Sequence, residues 1–249
     1  MIEYNIIKYV NCLDPDEGLS SLPDKIIDLI VTSPPYFNSS KKYQRGKGIH
    51  YTKDIGEPLY STIDCSEILY KKLKDDGFYC LNLGFSYAET GVMRPFYIID
   101  RLLKKQKWFL IDTIIWHKKN PIPIQKRLTN SWEYIFVLSK HPNLKYPNPE
   151  LGYKHNFFES SVAISKGNFS APFPEALPHF CIEVFSRKGE LICDPFVGSG
   201  TTCIVANKLS RNWIGYEIND DYKIKIRKSI SNINSPKNIK HWFKTEENK

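Results

Sequence analysis

The 249 residues are enough to bury a sizeable core, and a hydrophobic content of 41% with 14% aromatic residues excludes a disordered chain. The 35 Lys and Arg residues against 27 Asp and Glu give a formal net charge of +8, which points to a polyanionic partner such as nucleic acid. Six cysteines without a C-x-x-C pair exclude a zinc ribbon and read as reduced thiols, and no apolar stretch is long enough to span a bilayer, so a cytoplasmic protein without metal or membrane is expected.

In chain order, the first strong signal is the apolar run IIDLIV (26–31), read as a buried strand, which stops at Thr32-Ser33-Pro34-Pro35-Tyr36 because successive prolines cannot continue a hydrogen-bond ladder. A basic stretch follows, 37–58, in which Lys41, Lys42, Arg45 and Lys47 are interleaved with Tyr43, His50 and Tyr51, a mixture suited to phosphates and stacked rings. Residues 58–74 read as a helix, 78–84 as a strand, 94–107 as a helix and 109–116 as a strand. The stretch HKKNPIPIQKRLTN then adds Lys118, Lys119, Lys126 and Arg127 as contacts for phosphate or guanine. After a strand at 133–139, the proline-bearing segment 141–168 reads as irregular. Helices at 175–187, 200–210 and 220–231 alternate with strands at 190–194 and 213–217, and the lysine-rich tail reads as a solvated helix face that frays. Such alternation predicts an α/β fold: a mostly parallel sheet covered by helices on both faces, in one domain spanning 1–249, with ligands beyond the carboxyl ends of the strands.

Two strands end in unusual polar loops. In DPFVGSGTT, Asp194 closes a strand, Gly198 and Gly200 bring backbone close to a ligand, and Thr201 and Thr202 open a helix. Glu217 ends the next strand, a spacing that suits the hydroxyls of a ribose. No lysine occurs in the turn, which excludes a Walker loop, and the acid at its mouth disfavours a pyrophosphate. A nucleoside carrying an ammonium group and no phosphate fits better, and S-adenosylmethionine is such a ligand.

TSPPY and DPFVGSGTT together resemble the motifs of the DNA amino-methyltransferases, in the beta arrangement where the catalytic motif precedes the cofactor motif. LPDKIIDLIVTSPPY, DDGFYCLNLG, IIWHKKNPIPIQKRLTNSWEYIFVLSK, APFPEALP and GELICDPFVGSGTTCIVANKLSRNWIGYEINDDY carry the resemblance over most of the chain. It implies a Rossmann-like methyltransferase fold with a seven-stranded sheet in permuted order, S-adenosyl-L-methionine as cofactor and double-stranded DNA as partner, with a separate cognate restriction endonuclease possible. It further implies that Thr32, Asp194, Pro195, Phe196, Gly198, Ser199, Gly200, Thr201 and Thr202 surround the cofactor, with Glu217 and Ile218 near the ribose and Phe173 and Pro174 closing over it. Asn11, in VNC, stands where family members carry an aspartate for the adenine amino group; its amide oxygen still accepts a hydrogen bond, without the charge. Ser33, Pro34, Pro35 and Tyr36 take the catalytic place, residues 37–58 that of a DNA-contacting loop and 141–168 that of a small target-recognition segment.

The chemistry of such a loop follows from the substrate. An exocyclic amine is a poor nucleophile because its lone pair is delocalised, and rigid acceptors on its N–H bonds free that pair for in-line attack on a sulfonium methyl. The Pro34 carbonyl and Ser33 would be those acceptors, and Tyr36 a platform for an extruded base. No cysteine follows a proline, which disfavours the covalent route to ring-carbon methylation. Serine before the prolines is more typical of cytosine N4 and aspartate of adenine N6. Adenine N6 methylation, an RNA or protein-glutamine methyltransferase, and a non-enzymatic DNA-binding protein are the alternatives.

Overall fold

The computed structural model describes residues 3–35, 56–88, 91–93, 95–123, 128–151, 155–163 and 174–231. Its centre is a sheet of eight strands: β1 (Ile6–Lys8), β2 (Ile27–Thr32), β3 (Leu73–Leu83), β6 (Phe109–Lys118), β7 (Trp132–Ser139), β8 (Phe157–Ser160), β9 (Leu191–Asp194) and β10 (Asn212–Tyr216). A separate hairpin, β4 (Ser86–Ala88) with β5 (Gly91–Met93), lies between β3 and the helix before β6. The spatial order is β1-β10-β9-β2-β3-β7-β6-β8, with β7 antiparallel to both neighbours and every other pairing parallel.

Among the described residues, five α-helices cover the sheet: α1 (Gly56–Lys72), α2 (Pro95–Gln106), α3 (Ala176–Phe185), α4 (Thr201–Lys208) and α5 (Lys223–Ser231). Strand alternation sorts the core into two layers. Leu29 and Val31 of β2, Phe78 and Cys80 of β3, and Ile135 and Val137 of β7 share a cluster with Phe180, Cys181, Phe185, Val205 and Ile226 of the last three helices. Ile30, Tyr79, Leu81, Phe136 and Leu138 point the other way and pack on Ile63 and Leu69 of α1 and on Ile98, Ile99 and Leu102 of α2. Central strands buried on both faces explain the apolar runs IIDLIV and YCLNL, each interrupted by a single polar residue, Asp28 and Asn82.

All six expected strands and all five expected helices are present, with ends shifted by a few residues. The seven-stranded expectation needs a correction: residues 157–160, inside a segment read as irregular, return as an eighth strand pairing parallel with β6. The basic stretch is also shorter than read, because α1 begins at Gly56.

The parallel strands all end at the same edge of the sheet, and β7 begins there, so Thr32, Leu83, Lys118, Asp194 and Tyr216 finish side by side with Trp132.

Candidate active site

At that edge the two motif strands are tied directly to one another. Thr32, the last residue of β2, donates its hydroxyl to Asp194 Oδ1 at 2.6 Å, and the backbone N–H of Phe196 donates to the same oxygen at 3.0 Å. Asp194 is fully enclosed, and burial pushes its carboxyl above the ordinary value while these donors pull it back. Its other oxygen, Oδ2, and the Thr202 hydroxyl are both buried and make no hydrogen bond of good geometry among the described residues, although the neighbouring Thr202 hydroxyl still helps to hold the carboxyl down. A buried carboxylate oxygen without a donor is costly unless a ligand supplies one.

The glycine loop wraps around this acid. Gly198 (φ +54°) and Gly200 (φ +84°) both occupy the left-handed region, and a Cβ on Gly198 would meet nothing nearer than a backbone oxygen at 3.9 Å, so one side of the loop is open. Ser199 and Thr201 bond hydroxyl to hydroxyl at 2.8 Å, and Pro195 is buried beneath the turn. Glu217 closes the next strand tip: Oε2 accepts the Gly198 N–H and Oε1 the Asn219 N–H, each at 2.8 Å. Desolvation lifts its carboxyl to about 7 in spite of those donors. Ile218 lies half-buried beside it, and Pro174 is buried just ahead of α3.

Asn11 follows β1 at the same sheet edge, and its side-chain oxygen accepts the Leu13 N–H at 3.0 Å, which leaves one lone pair. Ser33 and Pro35 are half-buried and Pro34 is buried, next to the Thr32–Asp194 bond. Tyr36, Phe173, Lys41, Lys42, Arg45, Lys47, Lys126 and Arg127 lie outside the described residues. The structure therefore brings Thr32, Ser33, Asp194, the glycine loop and Glu217 to one edge.

Two proposed DNA contacts differ in kind. Lys118 faces inward, 2.6 Å from Glu133 and over the Trp116 ring at 5.4 Å, so its charge is already matched; Lys119 is 58% exposed and only 3.6 Å from Glu159. Sequence reading also missed Gly215. A Cβ there would overlap Val197 Cγ2 and sit 3.1 Å from Cys203 Sγ, so only glycine lets β10 support the loop and the start of α4. Its lone occurrence inside an apolar strand was the available signal.

With this geometry in view, residues 27–228 match the N6/N4 methyltransferase family, described as DNA methylase. The chain belongs to this family. The Type II methyltransferase M.SmaI of Serratia marcescens is 30% identical over 251 residues, covering 84% of this chain and 86% of that protein. Among solved structures, the PvuII DNA methyltransferase (cytosine-N4-specific) superposes with a TM-score of 0.69 at 24% identity, covering 88% of this chain and 90% of that one. A DNA modification methylase homologue from Thermus thermophilus, complexed with S-adenosyl-L-methionine, gives 0.68 at 22% identity, with 91% and 95% covered.

As an N6/N4 DNA methylase the chain takes its methyl group from S-adenosyl-L-methionine. The residues fit that group: the buried Asp194 carboxyl places negative charge at the base of the loop, the open side of Gly198 admits close approach, and the Glu217 carboxylate retains lone pairs for two hydroxyls. Among the described residues no group of three or more His, Cys, Asp or Glu side chains is placed to hold a metal, and no helix is long and apolar enough to cross a membrane.

Proposed function

We propose that this N6/N4 DNA methylase methylates the exocyclic N4 amino group of cytosine in duplex DNA, as the modification half of a restriction-modification system. The observation that best supports the reading is the Thr32–Asp194 hydrogen bond, which ties the strand tip that leads into Ser33 and Pro34 to the strand tip that leads into the glycine loop. Bound there, S-adenosyl-L-methionine supplies an electrophilic methyl group.

Pro34 and Pro35 restrict the backbone, so the Pro34 carbonyl and the Ser33 hydroxyl hold a fixed geometry for the amine's two N–H bonds. Polarised by these acceptors, the nitrogen rehybridises and its lone pair becomes available in line with the methyl. The methylated nitrogen is acidic enough to lose its proton to water. Tyr36 is assigned the stacking face for the extruded base, and the 37–58 segment and the 141–168 segment the grip on phosphates and the reading of sequence.

Two observations favour cytosine. Residue 33 is a serine, a neutral and weaker acceptor than the aspartate more typical of adenine N6 members, and the PvuII DNA methyltransferase, whose fold this chain shares, is cytosine-N4-specific. The relatives' Type II designation supports the restriction-modification setting. Expression in a methylation-free host, followed by sequencing with base-modification detection, tests this. N4-methylcytosine at a fixed site is expected; N6-methyladenine as the mark overturns the cytosine assignment.

A further inference from the structure

The core face that carries Val31, Cys80, Trp116 and Ile135 turns polar where its strands reach the reactive edge. By strand alternation the next positions on that face are Asn82 of β3 and Gly84 just past it, Glu133 of β7 and Lys118 of β6, with Ser33 just past the end of β2. Glu133 and Lys118 form an ion pair there at 2.6 Å, with side chains only 12% and 13% exposed. Withdrawing two charges from water is costly, and apolar side chains of like volume would serve stability as well. A pair kept at the tip of the core therefore points to a task there.

Its direction is set by the neighbouring strands. A Cβ on Gly84 would stand 3.1 Å from Glu133 Cγ, Cδ and Oε1, so the missing side chain at Gly84 lets the carboxylate lie over the end of β3. Lys118 reaches toward it across the Trp116 ring, 5.4 Å from the centroid, and the indole N–H fixes that ring by donating to Ser160 Oγ at 2.8 Å. The ammonium thus points from β6 toward β2, on a platform that is itself held.

The spacing suits a base. β3 is the immediate neighbour of β2, Leu81 pairs with Thr32, and Gly84 lies as many residues beyond Leu81 as Pro35 lies beyond Thr32. The ion pair over β3 and β7 is therefore roughly 5–10 Å to the side of Ser33 and Pro34, at about 4.8 Å per strand. Two hydrogen bonds of about 3 Å with the edge of a pyrimidine between them fill that interval.

We propose that Lys118 reads the Watson–Crick edge of the extruded cytosine, donating to ring N3 and carbonyl O2, and that Glu133 is the positioning residue that aims it. The inference rests on the cytosine N4 reading. An ammonium has three N–H donors and no acceptor. One is directed at Glu133 Oε1, which leaves two for N3 and O2, the acceptors that follow the amine along that edge. Adenine presents a single acceptor, N1, beside its amine and a C–H beyond it, and so leaves one donor unmatched.

The test compares duplexes with cytosine or 3-deazacytosine, whose N3 is replaced by a C–H, at the target position found by base-modification sequencing. The ratio of kcat/KM on the two duplexes isolates the contact to N3, because altered pairing and amine reactivity enter the ratio of every enzyme alike. K118M/E133Q replaces the ion pair by neutral side chains of similar volume. It is expected to bind S-adenosyl-L-methionine as wild type does and to show a ratio roughly tenfold or more below that of wild type, the loss of a charge-assisted hydrogen bond. E133Q, which keeps the ammonium without its anchor, should lower the ratio part of the way with cofactor binding unchanged. Equal ratios in wild type and both variants overturn the assignment, whatever happens to overall activity. A wild-type chain that marks adenine, or no base, overturns instead the cytosine reading on which it rests.

Discussion

Glu217 is a carboxyl group caught between two backbone N–H donors in a place from which water is largely excluded, and the exclusion wins: its titration moves up to about 7. The folded chain therefore holds a proton between pH 4.5 and 7 that the unfolded chain has released. By linkage, stability without cofactor falls as pH rises through that window and levels above it. With Glu217 assigned to the ribose, cofactor affinity is expected to run in the opposite direction, because only the ionised form accepts two hydroxyls. Calorimetric titration should show binding weakened roughly tenfold between about pH 7.5 and about pH 6, with E217Q flattening the dependence. Thr32 gives a second outcome at this scale. T32V removes one of the two donors that hold Asp194 Oδ1, a charge-assisted bond worth about 1.5–3 kcal/mol, so cofactor affinity should fall roughly ten- to a hundredfold with the fold retained by circular dichroism. The sequence singled out Asp194 and Glu217 as candidates from their places after apolar strands, and both lie at the strand tips beside the glycine loop. It carried no sign that Thr32 binds Asp194, because 162 residues separate them and only the sheet order joins them.

Among the elements, β10 and the β6–β7 connection carry the sharpest expectations. G215A forces a methyl group into Val197 and against Cys203; overpacking of this kind costs about 1–3 kcal/mol and should lower the urea midpoint and weaken cofactor binding together. Lys118 and Lys119 are adjacent yet should behave differently. K118A removes the ammonium that lies 2.6 Å from a mostly buried Glu133 and should lower stability, whereas K119A should leave stability unchanged and reduce the salt dependence of DNA binding by about one unit of slope. Strands β2, β3, β6, β7, β9 and β10 were legible because each carries a run of apolar residues. The short edge strands were not: IIK at β1 exposes part of each side chain, and FFES at β8 alternates over only four residues, too few for periodicity to register. Their pairing is supplied by neighbours far away in the chain, Ile214 for Ile6 and Trp116 for Phe158.

For the molecule as a whole, a net charge of +8 predicts DNA affinity that falls linearly with the logarithm of salt concentration. R45A should flatten that slope by about one unit, and unchanged binding across a salt series would remove the 37–58 segment from the interface. The sheet order has a different consequence, for synthesis. The strands β9 and β10, late in the sequence, slot between β1 and β2, early in it, so distant parts of the chain interleave at the reactive edge. A chain cut before residue 190 leaves β2 without its β9 neighbour and lacks the glycine loop altogether. Such a fragment is expected to be inert, which makes methylation depend on translation through β10.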